Sequence, residues 1–391
     1  MIHARQIKTF ILSILVLTNY NAFAQNWVQR ASMPGNAMSS VVTFVIGDYV
    51  YSGAGSLRSD FWKYDPLSDS WTQVASMPQI RDEAFGFSIG SYGYVGGGAQ
   101  AQALSDFYQY DPAQNNWTQK GNLPYRAIGA FGFSIGTKGY YGTGYDGFNY
   151  RNQFYEYDPI SDLWNLMPFF GGGTRALAAA FVIDSTAYVV AGNSNSFTNR
   201  RDCWAYTPGA SAWVLKDSLP GPARIQPAAF SVNGRGYVGG GAYGSSWSGA
   251  ASLFDFYSYD PTTNSWDTLQ NFPGYFSRLS RGFSINSVGY FCNGYDGVTT
   301  LNELWAYYPA PNSVGQILEK KQITSCILTS GDPDKIIRLY FGDENNAVNI
   351  FDISGRKTES IPGTSTSSNL LSGIYWFVSA SGNRVIRVLV P

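Results

Sequence analysis

Short runs of alternating apolar and polar residues, separated by turns rich in Gly, Pro, Asn and Asp, follow one another through most of this chain. In a representative stretch, Ala84 to Ile89, Gly93 to Val95 and Asp106 to Tyr110 predict three strands, and a fourth run carries Trp117. The apolar positions lack the period of an amphipathic helix. The pattern therefore predicts an all-β protein built from four-stranded antiparallel units.

One arrangement of aromatic and glycine residues recurs in six units. Each unit has a Phe, then a Tyr seven residues later and a Gly four residues after that Tyr. The six sets are Phe44/Tyr51/Gly55, Phe87/Tyr94/Gly98, Phe133/Tyr140/Gly144, Phe181/Tyr188/Gly192, Phe230/Tyr237/Gly241 and Phe283/Tyr290/Gly294. A second Tyr follows in each unit, at Tyr64, Tyr110, Tyr157, Tyr206, Tyr259 and Tyr307. The repeat is about 50 residues long, in the range of a four-stranded propeller blade.

Tryptophan positions predict how the ring of blades closes. Five Trp residues lie seven residues after the second Tyr of their unit, at Trp71, Trp117, Trp164, Trp213 and Trp266. The sixth unit has Val314 at that position, whereas Trp27 precedes the first unit. We therefore expect the N-terminal strand to complete the last blade, which removes the open sheet edges. Small residues in the first strand, as in Ala178 to Ala180, suit the crowded inner edge of such a ring.

The units resemble a known repeat family. With their paired Gly, their Tyr-Asp-Pro and their Trp, residues 25 to 311 resemble the kelch-repeat β-propellers. The resemblance implies a six-bladed kelch-type β-propeller closed by an N-terminal strand. The fold also resembles the catalytic domain of galactose oxidase, but the His ligands of that copper site match no position here.

Residues 1–24 have the features of an export signal. Arg5 and Lys8 precede an apolar stretch from Phe10 to Leu17, and Ala22-Phe23-Ala24 before Gln25 is a cleavage pattern of small residues. The apolar stretch is shorter than the roughly 20 residues that span a bilayer. We expect a signal peptide and a mature protein without a membrane span.

Residues 312–391 depart from the repeat. Alternating runs at Lys335 to Phe341, Ala347 to Ile353, Gly373 to Val378 and Val385 to Val390 predict a small C-terminal β-sandwich. The segment from Val348 to Arg356, then Leu371 to Tyr375 and the terminal apolar strand, resembles the C-terminal sorting domain of type IX secretion substrates. This resemblance implies the type IX machinery as a partner and a secreted or cell-surface protein exported through the periplasm. An ordinary appended β-domain is the alternative.

Composition excludes several classes of function. Cleavage after residue 24 removes Arg5 and Lys8 from 26 basic and 27 acidic residues, leaving a net charge of about −3, so nucleic acid is not an expected partner. The only His is His3, inside the signal segment, so the mature chain lacks His-based triads and imidazole metal sites. Cys203 and Cys292 fall in different blades and are expected to be buried free thiols. We expect no metal, no cofactor and no recognisable catalytic constellation, and enzymatic activity is the less favoured interpretation.

Arg residues and carboxylates recur on one face of the predicted propeller. The arginines are Arg81, Arg126, Arg175 and Arg224, and the residues four positions before the second Tyr are Asp60, Asp106, Gln153, Asp202, Asp255 and Glu303. Starts of the first and third strands share one face of a blade, so these groups are expected to meet. A set of ion pairs that ties loops together is favoured over catalysis, because structural networks resemble active sites in such patterns.

Aromatic residues on the long loops of the same face follow no repeat, and function often lies on such loops. These loops carry the aromatic residues Phe148, Tyr150, Phe169, Phe197, Tyr275 and Phe276, together with Arg151. The predicted ligand-binding residues are Arg126, Tyr145, Phe170, Arg175, Arg224, Tyr243, Trp247 and Tyr295. Packing of loop on loop is the alternative. The segments 144–147 and 294–297 have one carboxylate each, too few for calcium, which takes about six to eight oxygens, and they are predicted to be tight turns.

The sequence predicts a secreted or surface-attached monomeric module that binds a glycan or a protein through its long-loop face. Two alternatives remain. One is a His-free carbohydrate enzyme that resembles the sugar isomerase or epimerase propellers, which a paired carboxylate and Arg inside a central pocket would favour. The other is a structural surface protein, which a featureless central funnel would favour.

Overall fold

The computed structural model describes residues 26–194, 198–244, 251–274 and 278–309, and after residue 310 the backbone of six strands. The chain divides into two compact units between residues 310 and 311. All regular structure in the described ranges is β-strand. Within the same ranges there is no helix with the length and apolar character needed to span a membrane.

The first unit consists of six four-stranded antiparallel sheets, the blades. The strand β1 (Trp27–Arg30) begins it. Blade 1 contains β2 (Val42–Ile46), β3 (Tyr49–Gly53), β4 (Phe61–Asp65) and β5 (Ser70–Val74). Blade 2 contains β6 (Phe85–Ile89), β7 (Tyr92–Gly96), β8 (Phe107–Asp111) and β9 (Asn116–Gln119). Blade 3 contains β10 (Phe131–Ile135), β11 (Lys138–Gly142), β12 (Phe154–Asp158) and β13 (Leu163–Leu166).

The remaining blades follow the same order with one addition. Blade 4 contains β14 (Ala179–Ile183), β15 (Thr186–Val190), β16 (Cys203–Tyr206) and β17 (Val214–Lys216). Blade 5 contains β18 (Ala228–Val232), β19 (Arg235–Gly239), β22 (Phe256–Asp260) and β23 (Ser265–Leu269), with the short hairpin β20 (Ala242–Tyr243) and β21 (Ala251–Ser252) between its second and third strands. Blade 6 contains β24 (Arg281–Ile285), β25 (Val288–Tyr295) and β26 (Thr300–Tyr307).

The N-terminal strand closes the ring, as the Trp register predicted. Strand β1 pairs antiparallel with β26 and becomes the outer strand of blade 6. Trp27 lies opposite Tyr307, just as Trp71 lies opposite Tyr64 in blade 1. The first strands of successive blades are neighbours around the axis, and β24 also contacts β2. The six-bladed propeller is therefore confirmed, and its last blade is made from both ends of the unit.

Aromatic rings fill the wedges between neighbouring blades. Each repeat Phe stacks on the Tyr opposite it, as in Phe44 and Tyr51, whose ring centroids are 5.5 Å apart. The ring of Phe44 also lies against the bare backbone of blade 2, because a Cβ on Gly93 would be 2.1 Å from its Cε2 atom. A side chain at Gly93 would force the two blades apart. The aromatic and glycine positions of the repeat thus set the spacing of the blades.

In blades 1, 2, 3 and 5, polar groups link the blade to the one before it. The indole Nε1 of Trp71 donates to the carbonyl of Ala31 (2.8 Å), and Asp69 Oδ1 accepts from the Ala31 N–H (3.0 Å) and the Tyr64 hydroxyl (2.7 Å). The same carboxylate or amide bridge recurs at Asn115, Asp162 and Asn264. These hydrogen bonds satisfy tyrosine hydroxyls at the buried edge of the wedge.

The two cysteines of the propeller are buried free thiols, as predicted. Burial raises the pKa of Cys292 to about 12, because the thiolate would be desolvated there. Neither thiol is therefore a nucleophile at neutral pH.

The second unit has backbone strands within each of the runs predicted for it. The strands are β27 (Ile337–Arg338), β28 (Val348–Asp352), β29 (Lys357–Ile361), β30 (Thr366–Ser367), β31 (Gly373–Ser379) and β32 (Val385–Val390). They form a four-stranded sheet in the order β29-β28-β31-β32 and a pair β27-β30. The sandwich arrangement and the sorting role stay predictions.

Candidate functional site

One end of the propeller carries the long loops, and we call it the long-loop face. The first strand of each blade begins there and the second strand ends there. The segments that join second to third strands run over 54–60, 97–106, 143–153, 191–202 and 240–255 in blades 1 to 5. The opposite end has tight turns, such as 136–137 between β10 and β11. The long loops therefore lengthen from blade 1 to blade 5.

Neighbouring long loops are joined by hydrogen bonds. The side-chain amide of Asn193 donates to the Tyr150 hydroxyl (3.4 Å), which links blade 4 to blade 3. Asn199 Nδ2 donates to the Gly244 carbonyl (3.0 Å), which links blade 4 to blade 5. These contacts make the loops of blades 3 to 5 one continuous rim.

The recurrent arginines are buried and paired. The pairs are Arg81 with Asp106 (2.9 Å), Arg175 with Asp202 (2.8 Å) and Arg224 with Asp255 (2.5 Å). Each guanidinium also donates to a main-chain carbonyl near the end of the second strand, at Gly97 (2.9 Å), Ala191 (2.7 Å) and Gly240 (3.1 Å). Burial by itself would raise the pKa of Asp202, but hydrogen bonds from Arg175 and its charge lower that pKa below its usual value. The structure thus favours the ion-pair interpretation.

Arg175 and Arg224 were both predicted to bind ligand. Their side chains are almost completely buried, and each guanidinium is committed to a carboxylate and to carbonyls within its own blade. A ligand on the long-loop face has no access to them. We therefore leave both residues out of the candidate site.

Blade 3 departs from this arrangement, and the structure corrects the alignment of Arg126. A glycine N–H of the preceding blade marks the arginine register: Gly144 donates to the Arg175 carbonyl, and Gly192 donates to the Arg224 carbonyl. In blade 3, the carbonyl that accepts the equivalent bond, from Gly98 (2.7 Å), belongs to Ala127. Arg126 is therefore one residue out of register with the other arginines. The Tyr125 hydroxyl takes their role by donating to the Thr143 carbonyl (2.8 Å). The Arg126 side chain is exposed and extends to Gln102 Oε1 (3.5 Å).

Phe170 is a core residue and not a surface aromatic. Its ring is buried against Trp213, with a centroid separation of 5.0 Å, and the Arg175 guanidinium lies 5.4 Å from its centroid. It fills the wedge between blades 3 and 4, so it too leaves the candidate site. The early Pro168 places Phe169 on the surface and Phe170 beneath it, which the sequence pattern did not separate.

Two predicted tyrosines are held by their own loops. The Tyr145 hydroxyl donates to the Gly147 carbonyl (2.8 Å), and its ring packs on Tyr150 at 5.2 Å. The Tyr295 hydroxyl donates to Gly297 in the same way (3.0 Å), under the guanidinium of Arg278 at 4.8 Å. Both rings remain partly exposed on the long-loop face.

Three aromatic side chains that are more than half exposed project from the rim. Phe148 is 83% exposed, Tyr243 54% and Phe169 53%. They come from three different loops: the long loop of blade 3, the hairpin of blade 5 and the connection between blades 3 and 4. Trp247, also predicted to bind ligand, lies outside the described residues.

A cavity of about 140 Å³ lies on the propeller axis below the long-loop face. Its mouth is a ring of one residue from each blade, just before the first strand: Ser40, Glu83, Gly129, Leu177, Gln226 and Leu279. All six have φ between 54° and 62°, and backbone bonds link neighbours, as where Gly129 N–H donates to the Glu83 carbonyl (2.9 Å). The same left-handed backbone in all six blades turns the chain into the channel.

Five polar side chains line this cavity, those of Ser40, Thr43, Glu83, Gln226 and Arg281. Gln226 Nε2 donates to Glu83 Oε1 (3.3 Å) across the channel from blade 5 to blade 2, and Arg281 lines the wall in blade 6. Burial, together with the charge of Asp82, raises the pKa of Glu83 to about 7. Burial also lowers the pKa of Arg281. An acid and a base therefore share one small cavity.

Comparison with known proteins supports a kelch assignment for the first unit. The family model described as Kelch motif matches residues 49–78, which cover strands β3 to β5. The propeller is of the kelch type. A solved structure titled "Structure of YjhT" is similar in fold, with a TM-score of 0.64 and 17% sequence identity over 70% of this chain and 95% of that chain. No curated protein matches this sequence. At this identity the likeness extends to the fold alone.

The Gly-Tyr-Asp-Gly segments of the kelch propeller are tight turns, as predicted. Asp146 Oδ1 accepts from the N–H groups of Phe148 (2.7 Å) and Asn149 (2.6 Å). Asp296 Oδ1 caps the N–H groups of Val298 and Thr299, at 2.6 Å each. In the described part of the chain, no cluster of three or more His, Cys, Asp or Glu could hold a metal ion.

The cavity residues of the kelch propeller were missed by sequence reasoning. Arg281 occupies a first-strand register in which the other blades have an apolar residue: Val42, Phe85, Phe131, Ala179 and Ala228. Glu83 is the only acid in the mouth ring. The charged Arg281 at a position that is apolar in the other five blades was the sequence signal that could have indicated this cavity.

Proposed function

We propose that the propeller is an exported binding module whose ligand, a glycan or a protein, lies on the long-loop face. The observation that carries this proposal is the set of three exposed rings, Phe148, Phe169 and Tyr243, on a rim whose loops are hydrogen-bonded to one another. No repeat register requires an aromatic residue at these positions. Loops anchored on a rigid scaffold commonly carry binding residues.

A glycan is the ligand that this rim suits better. The exposed rings stand on separate loops with polar groups between them, such as Arg126 and Asn149. Protein interfaces usually have a contiguous apolar core. Separate ring faces flanked by hydrogen-bonding groups suit the alternating apolar faces and hydroxyl groups of a sugar chain.

A glycan-array screen of the mature chain tests the proposal. A glycan that binds the wild type should lose roughly 1 kcal/mol or more of affinity for Tyr243→Ala or Phe148→Ala, as expected for interface anchors. Matched controls are Leu67→Ala and Ile160→Ala, which remove equally exposed side chains (73% and 93%) from the opposite end. Loss of binding in the controls but not in the rim variants would refute the proposed face. Capture of a protein with no glycan hit would favour the protein ligand.

Export is a second part of the proposal, and it rests on the two ends of the sequence. The basic residues, the apolar stretch and Ala22-Phe23-Ala24 support cleavage before Gln25, and the C-terminal pattern supports type IX sorting. N-terminal sequencing of exported protein should begin at Gln25. Deletion of residues 312–391 should leave a folded propeller inside the cell envelope, and normal surface delivery of that form would refute the sorting role.

The axial cavity favours one alternative over another. Glu83 and Arg281 line the same pocket, which is the arrangement expected of a His-free enzyme acting on a sugar and not of a structural scaffold. Incubation with free monosaccharides, followed by NMR of the anomeric protons, tests this second candidate. Exchange that is accelerated by the wild type and lost in Glu83→Gln would establish it.

A further inference from the structure

The axial cavity contains unlike charges that do not pair with each other. Among the described residues, neither Glu83 nor Arg281 takes part in an ion pair, whereas three buried arginines of the propeller each have a carboxylate partner at 2.5 to 2.9 Å. In the same ranges, the Arg281 guanidinium has one hydrogen bond, to the Ser280 carbonyl (3.3 Å). Both charged side chains are partly buried and line the cavity, where each feels the charge of the other without direct contact. A small ligand that carries both charges would pair with the two groups at once.

The size of the cavity limits that ligand. At about 140 Å³, it is close to the roughly 150 Å³ cavity that accommodates benzene in another protein, a molecule with six non-hydrogen atoms. A pyranose ring with its hydroxyl groups has twice as many, so a sugar would enter only in part from the mouth, whereas a smaller molecule would be held entirely within the cavity. The cavity wall includes glycines such as Gly86 and Gly282, and a Cβ atom added to either would lie 2.3 Å from the neighbouring blade. The first strands are therefore packed too closely for the cavity to expand.

We propose that the axial cavity binds a small zwitterion, a free α-amino acid of the size of glycine or alanine. Its carboxylate lies at the Arg281 guanidinium and its ammonium group at Glu83. Gln226 positions the Glu83 carboxylate from the opposite wall, through the bond to Oε1 (3.3 Å). Such a ligand closes the gap between the two charges and leaves neither unpaired. This inference is independent of the glycan site on the rim.

The pH dependence follows from the groups that face Glu83. These are Asp82, Arg281, Gln226 and the hydroxyl of Tyr150. Because Glu83 has a pKa of about 7 in the empty cavity, roughly half of it is protonated at neutral pH. An ammonium group requires the carboxylate form, so binding should release a proton below pH 7 and not at pH 9. Affinity should accordingly rise as the pH increases from 6 to 8.

Calorimetric titration of the mature chain with glycine and L-alanine tests the inference. We expect saturable binding with one site per chain, weakened at least tenfold in Arg281→Gln and in Glu83→Gln, as for the loss of a hydrogen bond to a charged group. Acetate and methylammonium, each carrying one half of the ligand, should bind at least tenfold more weakly than glycine. Tyr243→Ala on the rim should leave glycine binding unchanged.

Several outcomes would overturn the inference. Acetate binding as tightly as glycine would show that Glu83 plays no part in recognition. Glucose competing with glycine would assign the cavity to a sugar. Titrations in buffers of different ionisation enthalpy measure the proton release directly, and its absence at pH 6.5 would contradict the role of Glu83. Unfolding midpoints of both cavity variants no lower than that of the wild type would show that the losses of binding are local.

Discussion

The wedges between the blades and the cavity on the axis are built from the same repeat, yet they differ in how strictly the repeat fixes their side chains. In the wedges each register holds the same residue type, as with Phe44 and its equivalents, and the polar groups are bridged by residues such as Asp69. At the cavity mouth, the six equivalent residues share one backbone conformation, but their side chains differ widely: Gly129 has none and Glu83 has a carboxylate.

The difference shows where the repeat constrains the chain. A wedge side chain packs on the next blade, as Phe44 does on Tyr110 and Trp117, so a change in one unit disturbs two sheets. At the mouth, backbone hydrogen bonds between neighbouring residues hold the ring, and they do not depend on which side chain each residue has. Two arginines illustrate this difference. Arg175 belongs to the recurrent set and pairs with Asp202, whereas Arg281 occupies a strand position that is apolar in the other blades and forms no ion pair among the described residues.

The largest effect is expected from the closing strand. Trp27 is buried against Phe256, Phe272 and Phe291 at 4.9 to 5.1 Å. Trp27→Ala should lower the free energy of unfolding by about 3 to 5 kcal/mol, because it leaves a cavity in the last wedge. Urea denaturation followed by fluorescence measures it. Leu163→Ala, on the exposed edge of blade 3, is the control and should change stability by less than about 0.5 kcal/mol. Equal effects in the two variants would refute the closure.

The buried ion pairs should rank second. Arg175→Met removes one partner and leaves Asp202 with the indole N–H of Trp204 (2.7 Å), at a cost of about 2 to 4 kcal/mol. Lys138→Met breaks a partly exposed pair with Asp158 and should change stability little, as is usual for ion pairs at the surface. A cost for Arg175→Met no greater than that of the control would mean that the pair is dispensable.

The ion pair of Arg175 and Asp202 also predicts how the stability of the propeller changes at acid pH. The pKa of Asp202 is lowered in the folded state, so its contribution is complete above the usual carboxyl pKa of about 3.9 and is lost as the pH falls through the lower folded value. Unfolding midpoints measured from pH 5 to pH 2 should therefore fall less steeply for Arg175→Met than for the wild type. Parallel curves would contradict this assignment.

Glu83 should respond in the opposite direction. Its folded pKa of about 7 is above the usual value, so the charged form destabilises the protein as the pH rises from about 4 to 7. Glu83→Gln should therefore stabilise the propeller by about 1 to 3 kcal/mol at pH 8 and have little effect at pH 4. Thermal unfolding at the two pH values provides the comparison. An effect independent of pH would mean that the Glu83 carboxylate is not desolvated in the cavity.

The smallest effect on stability belongs to the rim. Tyr243→Ala should change the free energy of unfolding by less than about 0.5 kcal/mol, because the side chain is more than half exposed. Chemical denaturation of the purified variant checks this. A larger loss would show that Tyr243 holds the blade 5 hairpin in place and is not free for a ligand.

The repeat alone determined most of the fold. The spacing of Phe, Tyr and Gly predicted six blades, and the position of Trp27 predicted closure through pairing with the last unit, which the register of β1 on β26 confirms. These features are local and periodic, so the structure inferred for one unit applies to the others. Even the bridge formed by Asp69 and its equivalents had a visible signal, five residues after the second Tyr.

Only the tertiary structure decided which polar and aromatic residues are available to a ligand. It buried Phe170 and Arg175, moved Arg126 out of register onto the surface, and brought Glu83, Gln226 and Arg281 from blades 2, 5 and 6 into one cavity. A linear pattern contains the period of a repeat but not the distance across the axis. That distance depends on how six blades close around small residues, so it exists only once the ring is complete.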